Sequence, residues 1–138
     1  ERGRRVATPV DLHDVQASFF TATGAEHPRD WVGGPLQELQ HDTSDRALFS
    51  EYHGHGVRGS GYMIRQGDWK LIWCAEAPHQ LFNLAEDPEE LNNLADKAPD
   101  ILAGLEAHLR AVCDPLLEHE RADAFIKRQL EAGMAKLA

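Results

Sequence analysis

The chain reads as an α+β domain: a small antiparallel sheet of about four strands packed against helices, with helices forming its C-terminal part. Three observations predict this. Two short runs carrying aromatic and β-branched residues, Tyr62–Arg65 and Trp69–Cys74, flank a Gly-containing turn. Before and after that region the apolar residues recur at three- and four-residue spacing instead. Glycine-rich and proline-containing connections, such as Gly54–Gly61 and the loop at Pro78, separate several of these stretches.

The first helix is expected to open at Thr8-Pro9-Val10-Asp11, with Thr8 as cap, Pro9 in the first turn and Asp11 as the reciprocal capping group. Leu12, Val15, Phe19 and Phe20 form its apolar stripe, and Gly24 is its natural stop. Residues 25–45 read as a loop with one short turn at Pro35–Gln40. The period then changes, and residues 46–84 carry the sheet. Arg46–His53 is the first strand, and Gly54–Gly61 is a glycine-rich connection. Tyr62–Arg65 and Trp69–Cys74 form a hairpin around Gln66-Gly67-Asp68. Trp69, Leu71 and Trp73 share one face of the hairpin, and Lys70, Ile72 and Cys74 the other. Gln80–Leu84 is a fourth strand.

Residues 88–138 are expected to be helical. Asp87 is a strong cap, with Pro88 at the first helical position and Glu90 three residues after the cap, predicting a short helix that ends near Asp96. Pro99 opens a longer helix whose face carries Ile101, Leu102, Leu105, Leu109, Val112 and Leu116, with Pro115 kinking or ending it. A last helix near Asp123–Leu137 carries Phe125, Ile126, Leu130, Met134 and Leu137. That stripe is expected to dock on the core or on a second subunit.

At 138 residues the chain fits one domain. A net charge of −9 disfavours nucleic acid and anionic membrane surfaces as partners, because phosphate binding needs a basic face. No apolar run approaches the roughly 20 residues that span a bilayer, and no leader-like apolar stretch follows the charged start. The compartment is left open between cytoplasm and periplasm. Cys74 and Cys113 lack metal-type or redox-type spacing and read as free thiols packed as small hydrophobes.

Several motifs tempt a functional reading. Gly54-His55-Gly56-Val57-Arg58-Gly59 has the spacing of a dinucleotide-binding loop, but a strand rather than a helix is expected after it, so it reads as a flexible connection. Lys70 reads as a salt-bridge residue rather than a catalytic amine. Trp31, Trp69 and Trp73 read as core rather than as a cage for a cation. The acidic run from Glu86 to Glu90 reads as capping. Glu51, His53 and His55 alternate at strand spacing, which places a carboxylate among imidazoles on one face. They are the candidate substrate-cleft residues. A third ligand for a stand-alone zinc site is not evident among them.

Four segments in order resemble one family. Thr8-Pro9-Val10-Asp11-Leu12 resembles the helix motif V-S-x-V-D-L-x-P-T of sulfatases, with His13-Asp14-Val15 in place of the x-P-T. Leu48-Phe49-Ser50-Glu51-Tyr52-His53 resembles their F-S-E-Y strand. Met63-Ile64-Arg65-Gln66-Gly67-Asp68-Trp69-Lys70-Leu71 and Leu81-Phe82-Asn83-Leu84-Ala85-Glu86-Asp87-Pro88-Glu89-Glu90 resemble the M-R-x-G-x-W/Y-K-L and L-F-D-L-x-x-D-P-x-E motifs, with Asn83 for the common Asp. The resemblance is to the C-terminal part of the family, within the alkaline-phosphatase-like superfamily, and its flavour is that of the bacterial choline-sulfatase-like and phosphonate-monoesterase-like branch.

The resemblance implies that residues 1–138 form the C-terminal subdomain of a parent sulfuric ester hydrolase whose N-terminal catalytic domain lies outside this chain and is its expected partner. It implies a formylglycine nucleophile and a divalent cation, calcium, in that parent. Neither the nucleophile motif C/S-x-P-x-R nor the acidic cation cluster has a counterpart here. Cys113-Asp114-Pro115-Leu116-Leu117 keeps the Cys and Pro but has Leu117 where Arg is required. The chain alone is therefore expected to hold no cofactor and to be inactive. A phosphonate or phosphate ester hydrolase of the same superfamily and a non-catalytic binding or oligomerisation module remain the alternatives.

Overall fold

The computed structural model describes residues 3, 5–39, 45–54 and 56–135. They fall into two compact units, Glu1–Leu48 and Phe49–Ala138.

The first unit is built on helix α1 (Leu12–Thr23) and a short 3-10 turn, Leu36–Glu38. The helix starts later than the Thr8-Pro9 signal predicts. Asp11 is the cap, accepting from the amides of His13 and Asp14, and the Asp14 carboxylate accepts from the Asp11 amide in return. The capping-box chemistry is as expected but displaced by three residues: Asp11 and Asp14, rather than Thr8 and Asp11, form the reciprocal pair. Gly24 ends the helix in the left-handed region, at φ 70°.

A polar network, rather than an apolar core, organises this unit. Asp14 is fully buried. Its carboxylate accepts from Arg46 Nη1 at 2.6 Å, Arg46 Nη2 at 2.7 Å, the Asp11 amide at 2.8 Å and the Gly34 amide at 3.0 Å. Ser18 Oγ donates to the Asp14 carbonyl and accepts from the Leu36 amide. Gly33 passes so close to the helix that a Cβ there would lie 2.4 Å from the His13 carbonyl carbon and oxygen, so only Gly fits. By contrast the predicted stripe is open: Leu12 is 83% and Phe19 65% exposed.

The second unit carries an antiparallel four-stranded meander, ordered β1 (Leu48–Tyr52), β2 (Gly61–Gln66), β3 (Trp69–Cys74), β4 (Gln80–Asn83). The hairpin forms with Ile64 opposite Leu71 and Gln66 opposite Trp69, so Gln66, expected in the turn, is instead the last residue of β2. Gly67 turns it at φ 57°, as a two-residue connection between right-twisted strands demands. Leu71 and Trp73 point into the core, as the alternation requires, and Trp69 packs at its edge. The core cluster also contains Tyr62, Ile64, Leu81, Leu105 and Leu109. The last two belong to helix α2 (Pro99–Val112), which packs on β2 and β3.

Two helix expectations are corrected. Asp87–Asp96 is not helical. Glu90 sits at φ 57°, incompatible with a right-handed helix, and its carboxylate is held by Lys70 Nζ at 2.7 and 2.8 Å. Asp87 caps a turn by accepting from the Leu91 and Asn92 amides, while Asn93 ties the segment to β4 by accepting from the Leu81 amide. The cap signal is real, but a turn uses the same chemistry. Second, the last helix, α3, spans Pro115–Ala135 and starts well before Asp123. Pro115 does end α2 as a continuous helix, yet it also supplies the first turn of α3. Asp114 Oδ1 caps that turn, accepting from the Leu116 and Leu117 amides. The Cys-Asp-Pro sequence is thus a helix junction.

Candidate functional site: a polar cleft between the first strand and the last helix

Glu51 lies on β1 and His53 just beyond its end. Their side chains meet, with His53 Nε2 3.3 Å from Glu51 Oε2. His55, the third residue of the alternating set, lies outside the described residues. Fold topology adds what strand spacing could not show. His53 Nδ1 is 2.7 Å from Ser60 Oγ, in the connection leading to β2. Ser60 Oγ is in turn 3.1 Å from Nδ1 of His119, on α3, and the Ser60 amide donates to the same nitrogen at 3.3 Å. His119 Nε2 faces Glu76 Oε1 at 3.6 Å. A linear chain therefore runs Glu51, His53, Ser60, His119, Glu76. Ser60, at its centre, is only 3% exposed.

Beside this chain opens a cleft of about 620 Å³, lined by Glu51 and His53 on one side and by Glu118, Arg121, Phe125 and Arg128 of α3 on the other. Arg121 donates to Glu118 Oε1 at 2.7 Å, so this pair is largely self-neutralised. Arg121 and Arg128 are seven residues apart, two turns of helix, with Phe125 between them on the same side. Phe125 is 55% exposed. The wall thus offers cationic groups flanking an apolar ring, opposite a carboxylate-imidazole pair. Such a surface can hold an anion attached to an apolar or ring-shaped body.

No three His, Cys, Asp or Glu side chains converge on a metal-sized point among the described residues. The carboxylates that surround the cleft face imidazole or guanidinium groups, and the donor set does not fit a hard cation, which needs several converging oxygens. Cys74 and Cys113 are free, and burial pushes both thiols up, away from the nucleophilic thiolate. Lys70 is committed to Glu90. Trp31 packs against His13 and Phe20 in the first unit, donating Nε1–H to the His13 carbonyl, while Trp69 and Trp73 belong to the sheet. The Gly54–Gly59 loop leads into β2 rather than a helix, so it has no anion-binding helix end. No helix among the described residues is long and apolar enough to cross a membrane.

No family model matches the chain. Arylsulfatase K of Danio rerio is 34% identical over 122 residues, which are 81% of this chain and 23% of that protein. The chain's homologues are sulfatases. It spans about 23% of the length of the curated relatives it matches. Among solved structures, a Bacteroides thetaiotaomicron protein assigned as a sulfatase superposes with a TM-score of 0.62 at 25% identity, covering 71% of this chain and 23% of that one. The phosphonate monoester hydrolase of Agrobacterium radiobacter superposes with a TM-score of 0.57 at 20% identity, over 71% of this chain and 23% of that one, and shares the fold. The sulfatase reading of the sequence motifs is thus supported at family level, while the branch within the family is not fixed.

Strand spacing singles out Glu51 and His53; Ser60, His119, Arg121 and Arg128, which the structure sets beside them, were not singled out. His119 and Arg121 fell where no helix was expected. With α3 starting at Pro115, the Arg121–Phe125–Arg128 spacing would have marked one helix face.

Proposed function

We propose that this chain is the C-terminal subdomain of a sulfate-ester hydrolase, and that it borders the parent enzyme's substrate cleft with Glu51, His53 and the α3 wall. The observation that carries the proposal is the pairing of sulfatase homology across 81% of the chain with a span of only 23% of the relative's length. The remainder of the enzyme then supplies the formylglycine nucleophile and the calcium ligands, and the chain supplies shape and charge. The exposed ends of α1 and α3 suit this division of labour. Phe19, Leu130 and Met134 are 65%, 63% and 72% exposed, more apolar surface than water-facing helices normally present. The remaining catalytic domain is the proposed partner, and a second subunit along α3 is the proposed assembly contact.

The cleft's chemistry suits an anionic ester. His53 and Arg128 attract the charged group, and Phe125 offers a face to the body of the substrate. Glu51 rejects a second anion beside His53 or accepts from a substrate hydroxyl. The test is kinetic, in the full-length polypeptide, with an aryl sulfate and an aryl phosphonate monoester in parallel. Replacing Glu51 by Gln or His53 by Gln is expected to change kcat/KM or the preference between esters by about tenfold, the scale of one lost charge-assisted hydrogen bond. Unchanged rates and preference in both variants would remove the cleft assignment. A wild-type preference for the phosphonate would move the parent to the neighbouring hydrolase reading, since the fold is shared with the Agrobacterium enzyme and does not by itself separate the two esters.

A further inference from the structure

Helix α2 covers one side of the sheet, the side of Tyr62, Ile64, Leu71 and Trp73. Strand alternation puts Tyr52, Met63, Arg65, Lys70 and Ile72 on the other. At its β4 end that side is closed. Phe82, which sits opposite Lys70 in the ladder, is buried, and Lys70 itself is held by Glu90 at 2.7 Å. Toward β1, the strand at the sheet's edge, the same side opens as a groove of about 310 Å³ that Tyr52, Met63 and Ile72 line. Tyr52 is 53% exposed. An aromatic ring, a thioether and a branched aliphatic chain along one groove are surface of the kind that other protein covers. Arg65 carries an independent sign of the same thing. Its Nε is shut off from water and meets no acceptor among the described residues. Lys70 stands directly across the ladder from Arg65, and the carboxylate of Glu90 is taken up by Lys70. A guanidinium N–H in that state costs the desolvation of the group unless an acceptor is brought to it.

We propose that this open side of the sheet is the face on which the catalytic domain of the full-length polypeptide docks. The domain sets apolar side chains against Tyr52, Met63 and Ile72 and brings a carboxylate or a backbone carbonyl to Arg65 Nε. The proposal rests on the parent-enzyme reading given above. Two observations select this occupant. The chain spans 23% of its relative's length, so most of the polypeptide is available to cover the face. The groove is also continuous with the cleft, because Glu51 borders both. A nucleophile that serves the cleft must stand within bonding reach of it, so the element that carries it abuts one of the cleft's two rims. The α3 rim is charged, with Glu118, Arg121 and Arg128. The β1 rim continues into Tyr52 and the apolar groove, and that is the rim a folded domain can bury. Arg65 then fixes the register of the contact, as a single N–H that has to find its acceptor.

The test is hydroxyl-radical footprinting of the full-length polypeptide, read at Tyr52 and Met63 by mass spectrometry. A bare Tyr52 would oxidise at about half its rate in the urea-unfolded polypeptide, and a docked one at less than about a tenth, because interface cores pack as tightly as interiors. Protection of both residues is expected. Arg65→Glu should raise Tyr52 oxidation at least about threefold, since a like charge facing the acceptor opposes docking. Arg110→Glu, on α2 at the other side of the sheet, should leave Tyr52 protected. A photoreactive benzoylphenylalanine in place of Tyr52 identifies the occupant. It is expected to cross-link to a peptide of the same polypeptide outside these 138 residues, with a yield independent of protein concentration. Oxidation of Tyr52 and Met63 at the bare rate overturns the proposal. So does a cross-link confined to residues 1–138, or one that joins two copies and fades on dilution. If Arg65→Glu does not fold, the wild-type footprint and the cross-link decide. Neither readout needs turnover. A docked face in a polypeptide that leaves an aryl sulfate intact therefore removes the ester reading and keeps the docking face, while a bare face in an active sulfatase does the reverse.

Discussion

Replacing Asp14 by Asn should cost roughly 2 kcal/mol at neutral pH, and the cost should disappear in acid. Asp14 is fully buried, and burial by itself would push its carboxyl up. Hydrogen bonds from Arg46, from the Asp11 and Gly34 amides, and the charge of Arg46 outweigh that and bring it from the ordinary 3.8 down to about 2. At about 1.36 kcal/mol per pH unit, that drop corresponds to roughly 2 kcal/mol of stability tied to the ionised form. The folded-state value lies below the unfolded one. The contribution is therefore fully present above pH 3.8 and is lost as pH falls through about 2. Asn keeps the shape and one acceptor but cannot match both nitrogens of Arg46. The assay is urea unfolding at several pH values, followed by the ¹⁹F signal of 5-fluorotryptophan at Trp31, which packs against His13 and Phe20 within the same unit. The difference between wild type and Asp14→Asn should be roughly 2 kcal/mol at pH 7 and close to zero near pH 2. A difference that stays constant across that range, or one below about 0.5 kcal/mol at neutral pH, would refute the argument that the ion pair organises the first unit.

Other outcomes follow from the same packing. Leu109 is fully buried where α2 meets the sheet, so Leu109→Ala should destabilise the second unit by about 2–5 kcal/mol in denaturant unfolding. Lys70→Ala should cost about 1 kcal/mol through loss of the half-exposed Glu90 pair, and should leave ester turnover by the full-length polypeptide intact. A collapse in turnover without loss of stability would return Lys70 to the list of reactive amines.

The parts of the fold visible in the sequence are those set by neighbours along the chain. Trp69–Cys74 was legible to the residue because a Gly turn before it and β-favouring side chains within it agree. Pro99 opened its helix as expected. Where sequence reading failed, one local signal served two structures. Asp87-Pro88 caps a turn as well as it would a helix, and only the distant Lys70, by holding Glu90, decides between them. Pro115 ends one helix and begins the next, and reading only the first role hid His119 and Arg121. Strand spacing brought Glu51 and His53 together, and their side chains do meet. Their link to His119 crosses 59 residues from Ser60 and has no local trace. Asp14 is a similar case: it stood out only as a departure from a motif, yet it anchors a whole unit through an arginine 32 residues away.

The most direct trial of the account compares two polypeptides with one substrate: the 138-residue chain by itself and the full-length polypeptide that carries it, each assayed on an aryl sulfate with calcium present. The account predicts turnover by the long polypeptide and none by the short one above the uncatalysed rate. Enzymatic hydrolysis by the short chain would contradict it, because its side chains would then have to include a nucleophile and cation ligands of their own.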